Sequence, residues 1–380
     1  MWGPRVTLVP VGTVIHRAAA GHQHRPSAQP DRTAREEQAL SEPTSGTRPT
    51  LEAVAERAGV SRATVSRVVN GGAGVRQVLV DKVRKAVEEL GYIPNHAART
   101  LVTRRNGAVA VIIAEPEFRI FSDPFFEQQV RGISRELTAH DAQLVLLWVE
   151  GPGDHERIAR YLGGGHVDGA LAFSLHNDDE LPEIVRRVQV PTVFGGRPGW
   201  EEADGALTVP YVDCDNRGGA RAAVRHLRGL GRRSIAHIAG PGDQTSALDR
   251  LEGYRDELPG GDPGLVAEGA FTEESGARAM GELLHRRPDL DAVFAANDLM
   301  ASGALRVLRE RGLRVPEDVA LVGFDDVLSV AEATDPPLTT VRQDIEGMGR
   351  LMVRILMRLL DGEGAEPVIT PTELVRRASA

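Results

Sequence analysis

The chain has 380 residues, of which 41% are hydrophobic and 26% are charged, and its formal net charge is -9. This composition is typical of a globular protein of two or three domains and excludes a small disulfide-stapled scaffold. The only cysteine, Cys214, excludes an intramolecular disulfide and a CxxC site, which fits a reducing cytoplasm, and no apolar run approaches the roughly 20 residues that span a bilayer.

Residues 1–46 are rich in Ala, Arg, Gln, Pro, Ser and Gly and show no sustained hydrophobic period. We predict that this segment is disordered. Its opening, MWGPRVTLVPVGTVIHRAAAG, is mildly apolar but is interrupted by Pro10 and Gly12, and this pattern argues against a secretory signal. A start codon assigned too far upstream would explain these residues equally well.

The charge is unevenly distributed along the chain. Between Thr47 and Asn106 there are 11 Arg or Lys and 5 Asp or Glu, a local balance of +6, which leaves -15 for the remainder. A basic module on an acidic body favours a polyanion as the partner of the basic end. A solvated basic face without a partner would give the same balance, so charge alone does not decide between them.

The stretch LEAVAERAGVSRATVSRVVNGG predicts two short helices joined by a tight turn. Apolar residues at i, i+3, i+4 and i+7 mark the first helix, with Thr50 as its N-cap and Gly59 at its end. Ser61 is placed to cap the second helix, from which four side chains face outward: Arg62, Ala63, Ser66 and Arg67. This arrangement predicts a helix-turn-helix, whose second helix fits the major groove of DNA.

A third amphipathic helix is predicted from about Gln77 to Leu90, where Gly91 stops it. In the following YIPNHAARTLVTRR, Pro94 breaks the chain and Asn95 can cap one or two further helical turns. So short a helix would need a partner helix, DNA or both. A generic three-helix core would explain the apolar pattern, although not the outward arginines.

From Gly107 onward, short apolar runs alternate with helical patterns. The runs include GAVAVIIA, QLVLLWV, DGALAF, PTVFG, SIAHIAGP, DAVFAA and VALVGFDD. Nearly continuous apolar strands separated by helices predict parallel sheets that are buried on both faces. About 270 residues are too many for one such core, so we predict an α/β domain of two Rossmann-like lobes.

These residues resemble a known family. TLEAVAERAGVSRATVSRVVNG and LGYIPNHAARTL are similar to the headpiece and hinge of the LacI/GalR family of bacterial transcriptional regulators, and the similarity covers nearly all of 48–380. The resemblance implies a headpiece over 47–92, a hinge helix and linker over 93–106, and a periplasmic-binding-protein-like effector and dimerisation domain over 107–380. The first lobe is expected at about 107–212 and 345–361, and the second at about 213–344 and 362–380.

The resemblance also implies which residues contact DNA. In the family the second helix reads bases in the major groove, and paired hinge helices insert a leucine into the minor groove. By position, Arg62 and Ala63 are the principal base readers and Leu101 is the wedge; further contacts are expected at Thr50, Leu51, Ser61, Ser66, Arg67, Asn70 and Asn95. The family opens its third helix with serine and threonine, where this chain has Arg76 and Leu79, so we expect a poorly capped start.

Ligands of parallel sheets bind outside the carboxyl ends of the strands, which selects the polar residues after the apolar runs. Asn297 and Asp298 follow DAVFAA, and Asp325 and Asp326 follow VALVGF. Capping of a helix is the favoured interpretation for Asp298 and Asp326. The resemblance implies effector contacts at Arg250, Asn297 and Asp325, and such groups suit the hydroxyls of a sugar.

Two further stretches are candidates for the effector site. In FRIFSDPFF, Phe121, Asp123 and Phe125 could stack on or bond to a sugar ring, although both phenylalanines could equally be core. In TVFGGRPG, Arg197 could reach the cleft or remain a surface arginine, and Gly196 stands where some sugar-binding members have an acidic residue. We expect neither a cofactor nor a metal ion.

The helix EGMGRLMVRILMRLL follows DPPLTTVRQD and, by resemblance, returns to the first lobe. The chain is expected to cross between lobes around 211–213 and again near 343–345. The apolar face of this helix can be buried only within the protein or across a dimer interface. Since one helix-turn-helix reads few base pairs, we expect a homodimer on a pseudo-palindromic operator.

Three other classes of protein are less consistent with the sequence. An enzyme is disfavoured because no GxSxG, HExxH, P-loop or GxGxxG stands in its strand-to-helix context, and the 11 histidines are scattered. An exported sugar-binding protein would have a signal peptide and no helix-turn-helix, and a DNA-bending protein would not need a large acidic domain. We therefore predict a cytoplasmic repressor that a small molecule, in most family members a sugar, releases from DNA; a sugar-binding protein without DNA function is the alternative.

Overall fold

A computed structural model of the chain describes residues 49–69, 74–93, 105–199 and 209–380. It contains two compact units, one up to residue 93 and one from residue 94 onward. The predicted disordered segment 1–46, most of the hinge segment 93–106 and the predicted DNA contacts Asn70, Asn95 and Leu101 lie outside the described residues.

The first unit, the headpiece, is built from α1 (Leu51–Ala58), α2 (Arg62–Val69) and α3 (Gln77–Leu90). The predicted caps are confirmed, since Thr50 Oγ1 accepts a hydrogen bond from the Ala53 N–H and Ser61 Oγ accepts one from the Thr64 N–H. Gly59 ends α1 with a φ of 65°, a left-handed conformation that glycine adopts at no steric cost. As expected, no side chain caps the start of α3 at Arg76.

The headpiece core is small and made from the predicted apolar faces. Its most buried members come from all three helices and the segment after them: Val54, Ala55, Val65, Val83, Ala86 and Tyr92. A surface ion pair between Arg57 Nη2 and Glu89 Oε2, 2.5 Å apart, joins α1 to α3. The predicted helix-turn-helix is thus a packed structure.

The second unit contains two six-stranded sheets. Its described helices are α4 (Glu117–Ser122), α5 (Pro124–Ala139), α6 (Pro152–Gly163), α7 (Leu181–Val188), α8 (Asn216–Gly229), α9 (Thr245–Glu257), α10 (Glu273–Arg286), α11 (Asp298–Glu310), α12 (Leu328–Ala331) and α13 (Ile345–Leu360). Its described strands are β1 (Ala108–Ile113), β2 (Gln143–Trp148), β3 (Gly169–Phe173), β4 (Thr192–Gly195), β5 (Tyr211–Cys214), β6 (Ile235–Ala239), β7 (Val266–Glu268), β8 (Ala292–Ala295), β9 (Ala320–Asp325), β10 (Thr339–Arg342), β11 (Val368–Thr370) and β12 (Glu373–Val375).

Each sheet forms the centre of one lobe. The first has the strand order β11-β5-β4-β3-β1-β2 and its pairings are parallel. The second has the order β12-β10-β9-β8-β6-β7 and is parallel except for the antiparallel pair of β10 with β12. The predicted α/β class with two Rossmann-like lobes is confirmed.

Helices cover both faces of each sheet. In the first lobe, α5 and α13 pack together over one face, while α6 and α7 pack together beside apolar residues of the other. In the second lobe, α8 and α9 form one pair and α10 and α11 the other. The apolar face of α13 is buried against the first sheet through Met348, Met352 and Leu356, which accounts for the hydrophobic pattern of that helix.

One predicted boundary of the lobes is wrong. We expected 362–380 to belong to the second lobe, yet β11 pairs with β5 in the first sheet and only β12 joins the second. After α13 the chain runs along the edge of the first sheet before it crosses for a third time, between residues 370 and 373. A half-buried strand of three residues has too short a pattern to identify its sheet.

Across the described residues, no helix is long and apolar enough to cross a membrane.

Candidate ligand cleft and nucleic-acid interface

The outward face of α2 carries the predicted base readers. Arg62, Ala63 and Arg67 are exposed, while Val65 on the opposite side of the helix is buried. Arg62 Nε lies 2.8 Å from Glu52 Oε1 on α1, and the two side chains are 72% and 61% exposed. Such an exposed pair contributes only about 0.2–1 kcal/mol to stability, so Arg62 can leave Glu52 for another partner at little cost.

The other predicted DNA contacts flank this face. Thr50 and Ser61 are the caps of α1 and α2, and Ser61 Oγ also lies 2.9 Å from Thr64 Oγ1. Leu51 packs against the headpiece core, and Ser66 is half-buried on α2. Hydroxyls at helix N-termini can hydrogen-bond phosphates beside the backbone N–H groups. The DNA-binding roles of these residues stay predictions.

A cleft lies between the two lobes at the carboxyl ends of their strands. It encloses about 910 Å³ of empty space, a volume that includes its open mouth. The structure brings together in its lining all six predicted effector residues: Asp123, Phe125, Arg197, Arg250, Asn297 and Asp325. Their contact with a ligand stays a prediction.

The second-lobe wall of the cleft is organised around Arg250 on α9. Its Nε donates to Asn216 Oδ1 at 2.9 Å, its Nη1 donates to the Ala296 carbonyl at 2.5 Å, and that Nη1 lies 3.4 Å from Asp325 Oδ1. The guanidinium carbon also lies 3.7 Å from the centre of the Phe324 ring. Arg250 is therefore a buried cation held by several protein partners.

Asp325 ends β9 in an unusual conformation. Its φ is 108° and that of Asp326 is 55°, both in the left-handed region that favours glycine, so the backbone is strained where the strand reaches the cleft. Its Oδ1 accepts a hydrogen bond of 2.6 Å from Gln343 Nε2. Burial raises the pKa of Asp325 to about 7, although the positive charge of Arg250 opposes the rise.

The helix cap after β8 is Asn297 rather than Asp298. Asn297 Oδ1 accepts from the Met300 N–H at 2.9 Å, and its Nδ2 donates to the Phe271 carbonyl at 3.1 Å. Our capping interpretation of Asp298 is wrong: its carboxylate accepts hydrogen bonds from the Val327 N–H and the Thr340 hydroxyl. It therefore joins α11 to the turn after β9 and to β10.

The capping interpretation of Asp326 is also wrong. This carboxylate is buried and forms ion pairs with Arg342 and Arg377, each at 2.7 Å. The local sequence could not show whether Asp326 caps a helix or forms ion pairs, because Arg342 lies on β10 and Arg377 lies near the carboxyl terminus of the chain.

The first-lobe wall of the cleft comes from α4 and α5. Asp123 caps α5 by accepting a hydrogen bond from the Phe125 N–H at 2.9 Å, and burial raises the pKa of this carboxyl above its ordinary value. Phe125 lines the cleft and meets Phe126 edge-to-face. Phe121 does neither of the things we predicted, since it is 68% exposed, lies outside the cleft lining and contacts Trp148.

Several cleft residues were not found from the sequence. They include Arg119, Gln129, Asp213, Asn216, Gln244 and Gln343, all of which line the cleft. Burial raises the pKa of Asp213, which accepts backbone hydrogen bonds from Arg197 and Cys214. Asn216 and Gln343 lie within two residues of the ends of β5 and β10, so the rule that placed Asn297 after β8 would have found them had those two short strands been recognised.

A buried carboxylate, Glu115, joins the two lobes beside the cleft. Its Oε1 accepts hydrogen bonds from Arg119 at 2.6 Å, from Ser174 at 2.6 Å and, from the second lobe, from Gln244 at 3.0 Å. Burial acts to raise the pKa of Glu115, but hydrogen bonding to His176 and the charge of Arg119 outweigh it and the pKa is lowered. The ionised carboxylate is therefore the stable form here.

Two links at the rim also cross between the lobes. His176 Nδ1 lies 2.8 Å from Asp243 Oδ2, and interaction with Glu115, supplemented by Asp243, raises the pKa of His176 from 6.5 to about 9. On the other side, Arg197 Nη2 donates to Asp249 Oδ1 at 2.6 Å. Arg197 thus lines the cleft and is also partly exposed, so both interpretations of it hold in part.

The cleft is suited to a neutral polyhydroxylated ligand. Its lining combines carboxylates, amides and guanidinium groups with the aromatic side chains of Phe125 and Phe271. In the described ranges of the chain, no group of three or more His, Cys, Asp or Glu side chains could hold a metal ion.

Comparisons with known proteins agree with both halves of this structure. Residues 50–95 match the model for bacterial regulatory proteins of the lacI family, and residues 224–380 match a periplasmic binding protein-like domain. The chain is 50% identical over 339 residues to the HTH-type transcriptional regulator CelR of Thermobifida fusca, a match that covers 87% of this chain and 98% of that protein.

Two solved structures are similar over most of the chain. A complex of the transcriptional regulator CelR with cellobiose has a TM-score of 0.70 and 46% identity, covering 88% of this chain and all of that one. A lac repressor dimer bound to operator and the anti-inducer ONPF has a TM-score of 0.75 and 30% identity, covering 88% of this chain and 99% of that one.

Proposed function

The chain belongs to the lacI family of bacterial regulatory proteins and is a DNA-binding transcriptional regulator, and we propose that it represses its target genes until cellobiose or a related glucoside binds in the cleft. The observation that carries this proposal is the polar cleft between the lobes, in a chain that also presents exposed arginines on the second helix of a helix-turn-helix. This function requires no catalytic step, and its site of action is the chromosome in the cytoplasm.

The DNA-binding part of the proposal rests on the outward face of α2. Arg62 would pair with guanine O6 and N7 in the major groove, and Ala63 would contact a base through its methyl group. Thr50, Ser61 and Ser66 are suited to phosphate contacts that set the register on the duplex. A homodimer would place two such helices on the half-sites of a pseudo-palindromic operator.

The effector-binding part of the proposal rests on the cleft. Asp123, Asp325 and Asn297 offer acceptors for sugar hydroxyls, while Arg250 and Arg197 offer donors. The rings of Phe125 and Phe271 offer apolar faces for the C–H groups of a pyranose. The cellobiose complex of the CelR regulator, 46% identical to this chain, supports a glucose disaccharide as the ligand.

Release from DNA would follow from closure of the lobes. Groups from both lobes line the cleft, so a ligand that binds both sides favours the closed arrangement over the open one. Closure would move the first lobes of a dimer relative to each other and alter the spacing of their hinge segments. Operator and effector then oppose each other's binding by the same factor.

The test is a fluorescence-anisotropy titration of the full chain against a palindromic duplex selected from random-sequence DNA, repeated with cellobiose, lactose, maltose and ribose. We expect sequence-dependent binding that cellobiose reverses and maltose, with its α-linkage, does not. Specific binding that no sugar changes would overturn the effector assignment and leave the DNA assignment. The absence of specific binding would overturn the repressor.

A further inference from the structure

The chain enters the first lobe at a point that is hydrogen-bonded on two sides. On one side Asp168, directly before β3, accepts from two consecutive backbone N–H groups, Oδ1 from Asn106 at 2.5 Å and Oδ2 from Gly107 at 2.7 Å. Asn106 Nδ2 also donates to the Gly165 carbonyl at 2.8 Å. A carboxylate that accepts from two adjacent N–H groups makes two charge-assisted bonds, which fix the direction of the chain as well as its position.

On the other side, Arg105 binds the carboxyl end of α13. Its Nη2 donates to the Leu360 carbonyl at 2.7 Å and to Asp361 Oδ1 at 2.8 Å. The last carbonyl groups of a helix carry partial negative charge, so the helix dipole attracts the guanidinium there as the carboxylate does. The side chains of Arg105 and Asp361 are 45% and 60% exposed, so water weakens this contact. These contacts and those of Asp168 together form the linker clamp.

The helix α13 extends from the cleft to the linker clamp. At its amino end Met348 lines the cleft, and Gln343, two residues before the helix begins, donates a hydrogen bond to Asp325. The 16 residues of the helix span about 24 Å at about 1.5 Å per residue. One helix therefore joins a wall of the cleft to the point where the chain from the headpiece enters the first lobe.

Close packing makes α13 part of one rigid body with the first lobe. A Cβ atom at Gly132 of α5 or at Gly349 of α13 would overlap the backbone of the other helix, so the two helices have little room to slide. Nearer the clamp, the side chain of Leu356 occupies the space that a Cβ atom of Gly169, the neighbour of Asp168, would need. A displacement of the first-lobe wall of the cleft is therefore carried to the linker clamp and is not absorbed within the lobe.

We propose that Asp168 and Arg105 are positioning residues that pass closure of the cleft to the predicted hinge. Gly107, whose φ is 62°, leaves the backbone free to rotate where the chain enters, and the clamp removes that freedom. Without the clamp, rotation of residues 105–107 would absorb part of the displacement of the lobe.

The proposal rests on the proposed function, because it names the contacts by which the same effector releases DNA. Neither Asp168 nor Arg105 lies in the cleft lining. Their loss should therefore reduce the coupling between effector and operator while each ligand alone binds nearly as it does to the wild type.

The experiment measures the coupling factor, which is the ratio of the operator dissociation constants of the full chain with and without saturating cellobiose, by fluorescence anisotropy. Coupling factors are typically about 5- to 150-fold, and in Asp168→Asn, where an amide group that cannot accept faces one of the two N–H groups, the factor should fall about fivefold. Arg105→Met should lower it only about twofold, because that contact is exposed. Operator affinity without sugar, and cellobiose affinity without DNA measured by calorimetry, should each change less than the coupling factor does.

Amide hydrogen exchange provides a second readout that does not depend on sugar. The N–H groups of Asn106 and Gly107 should be protected in the wild type and should exchange about tenfold or more faster in Asp168→Asn, because they lose their acceptor.

Two controls separate the clamp from a general change of charge or stability. Glu156→Gln removes an exposed carboxylate from α6 in the same lobe and should change neither exchange nor coupling. Arg105→Lys keeps the charge and a donor, and should retain more of the coupling than Arg105→Met does. Urea unfolding shows which variants are folded, and Arg105→Met, which changes an exposed contact, keeps the proposal testable if Asp168→Asn does not fold.

The possible failures are distinguishable. If cellobiose does not weaken operator binding by the wild type, the proposed effector is overturned and this inference with it. If the wild type responds and the folded variants Asp168→Asn and Arg105→Met respond equally, only the role of the linker clamp is overturned. Unprotected amides at Asn106 and Gly107 in the wild type would overturn the clamp whatever the sugar does. A loss of cellobiose affinity as large as the loss of coupling would also contradict it, because Asp168 would then act on the cleft itself.

Discussion

The headpiece and the cleft present their arginines in opposite ways. Arg62 is exposed on α2 and paired with another exposed side chain, Glu52, whereas Arg250 is buried and fixed by Asn216, Ala296 and Asp325. An exposed guanidinium can exchange its partner for a base at small cost, because water screens the pair that it leaves. A buried guanidinium cannot be left unpaired cheaply, so it forms part of a preformed site.

This difference predicts how the two regions respond to substitution. A change on α2 should alter operator affinity and leave sugar binding and stability nearly unchanged. A change in the cleft should alter sugar binding and stability together, because the same hydrogen bonds serve both. Any substitution that affects both ligands equally would break the comparison.

The largest effect is expected for Asp325→Ala. Removal of this side chain takes away a buried partner of Arg250, 3.4 Å from its Nη1, which should lower the free energy of unfolding of the larger unit by about 3 kcal/mol. The sugar response should disappear while operator binding persists at a temperature where the variant is folded. Urea unfolding and the anisotropy titration measure the two quantities.

A matched control is Glu310→Ala, which removes an exposed carboxylate at the end of α11 in the same lobe. Its free energy of unfolding and its sugar response should equal those of the wild type within experimental error. A normal sugar response in Asp325→Ala would mean that the effector binds elsewhere.

The next largest effect is expected for Arg62→Ala. Loss of a bidentate contact with guanine should weaken specific operator binding by about 1–3 kcal/mol, roughly 5- to 150-fold, without a change in cellobiose affinity. Anisotropy with the selected operator and with mutated half-sites measures the loss of affinity and of sequence preference.

Arg84→Ala on α3 removes the same charge from an exposed position of the headpiece. It should weaken binding to the operator and binding to random DNA by a similar small factor, because it changes only the electrostatic part of the binding free energy. If Arg62→Ala also weakened both DNAs equally, Arg62 would be a phosphate contact and not a base reader.

The headpiece could be predicted almost completely because its signals are local. Thr50, Ser61, Gly59 and Gly91 mark helix ends within a few residues of the apolar stripes that they bound, and the structure has its helices at those positions. The long strands were equally clear, since a buried strand of five or six apolar residues between helices has few other interpretations. Short strands such as β7, β11 and β12 have only three residues each and gave no such pattern.

The cleft could be predicted only in part because its contacts join distant segments. The carboxyl-end rule and the resemblance selected Asn297 and Asp325, but Gln244 meets Glu115 across 129 residues of sequence. Such pairings depend on how the two lobes are positioned relative to each other, and hydrophobic periodicity carries no information about this arrangement. The same limit explains why Asp298 and Asp326 were assigned to caps when their partners lie on β10 and near the carboxyl terminus.

The charged partners of His176 at the rim of the cleft make the stability of the larger unit depend on pH. Interaction with Glu115 and Asp243 raises the pKa of His176 from 6.5 to about 9. As the pH rises, the unfolded chain therefore loses the proton of His176 at a lower pH than the folded protein does. The resulting stability is fully present below pH 6.5 and is lost as the pH rises from 6.5 through 9. Allowing for partial solvent screening, we expect a contribution on the order of 1–2 kcal/mol.

The measurement is the difference in unfolding free energy between wild type and His176→Gln as a function of pH. It should be largest near pH 6 and approach zero above pH 9. Taking the difference removes the effects of other groups with shifted pKa values, such as Asp325 and His237. A difference that does not vary with pH would show that His176 stabilises the fold without its charge.

The smallest effect is expected for Glu52→Gln in the headpiece. Glu52 Oε1 lies 2.8 Å from Arg62 Nε, so DNA must replace this partner when the guanidinium turns to a base. Because the pair is exposed, its loss should strengthen operator binding by at most about fivefold, equivalent to about 0.2–1 kcal/mol. The effect should decrease as salt is added.

Glu56→Gln separates the ion pair from simple charge, because Glu56 is exposed on the same helix one turn further along. Both substitutions remove one negative charge from the headpiece, so any gain that is common to them is electrostatic attraction to phosphate. The part that belongs to the pair is the excess of Glu52→Gln over Glu56→Gln, and it should vanish when Arg62 is already alanine. An excess that survives in Arg62→Ala would mean that Glu52 repels DNA directly. The ion pair with Glu52 would then not restrain Arg62 from contacting a base.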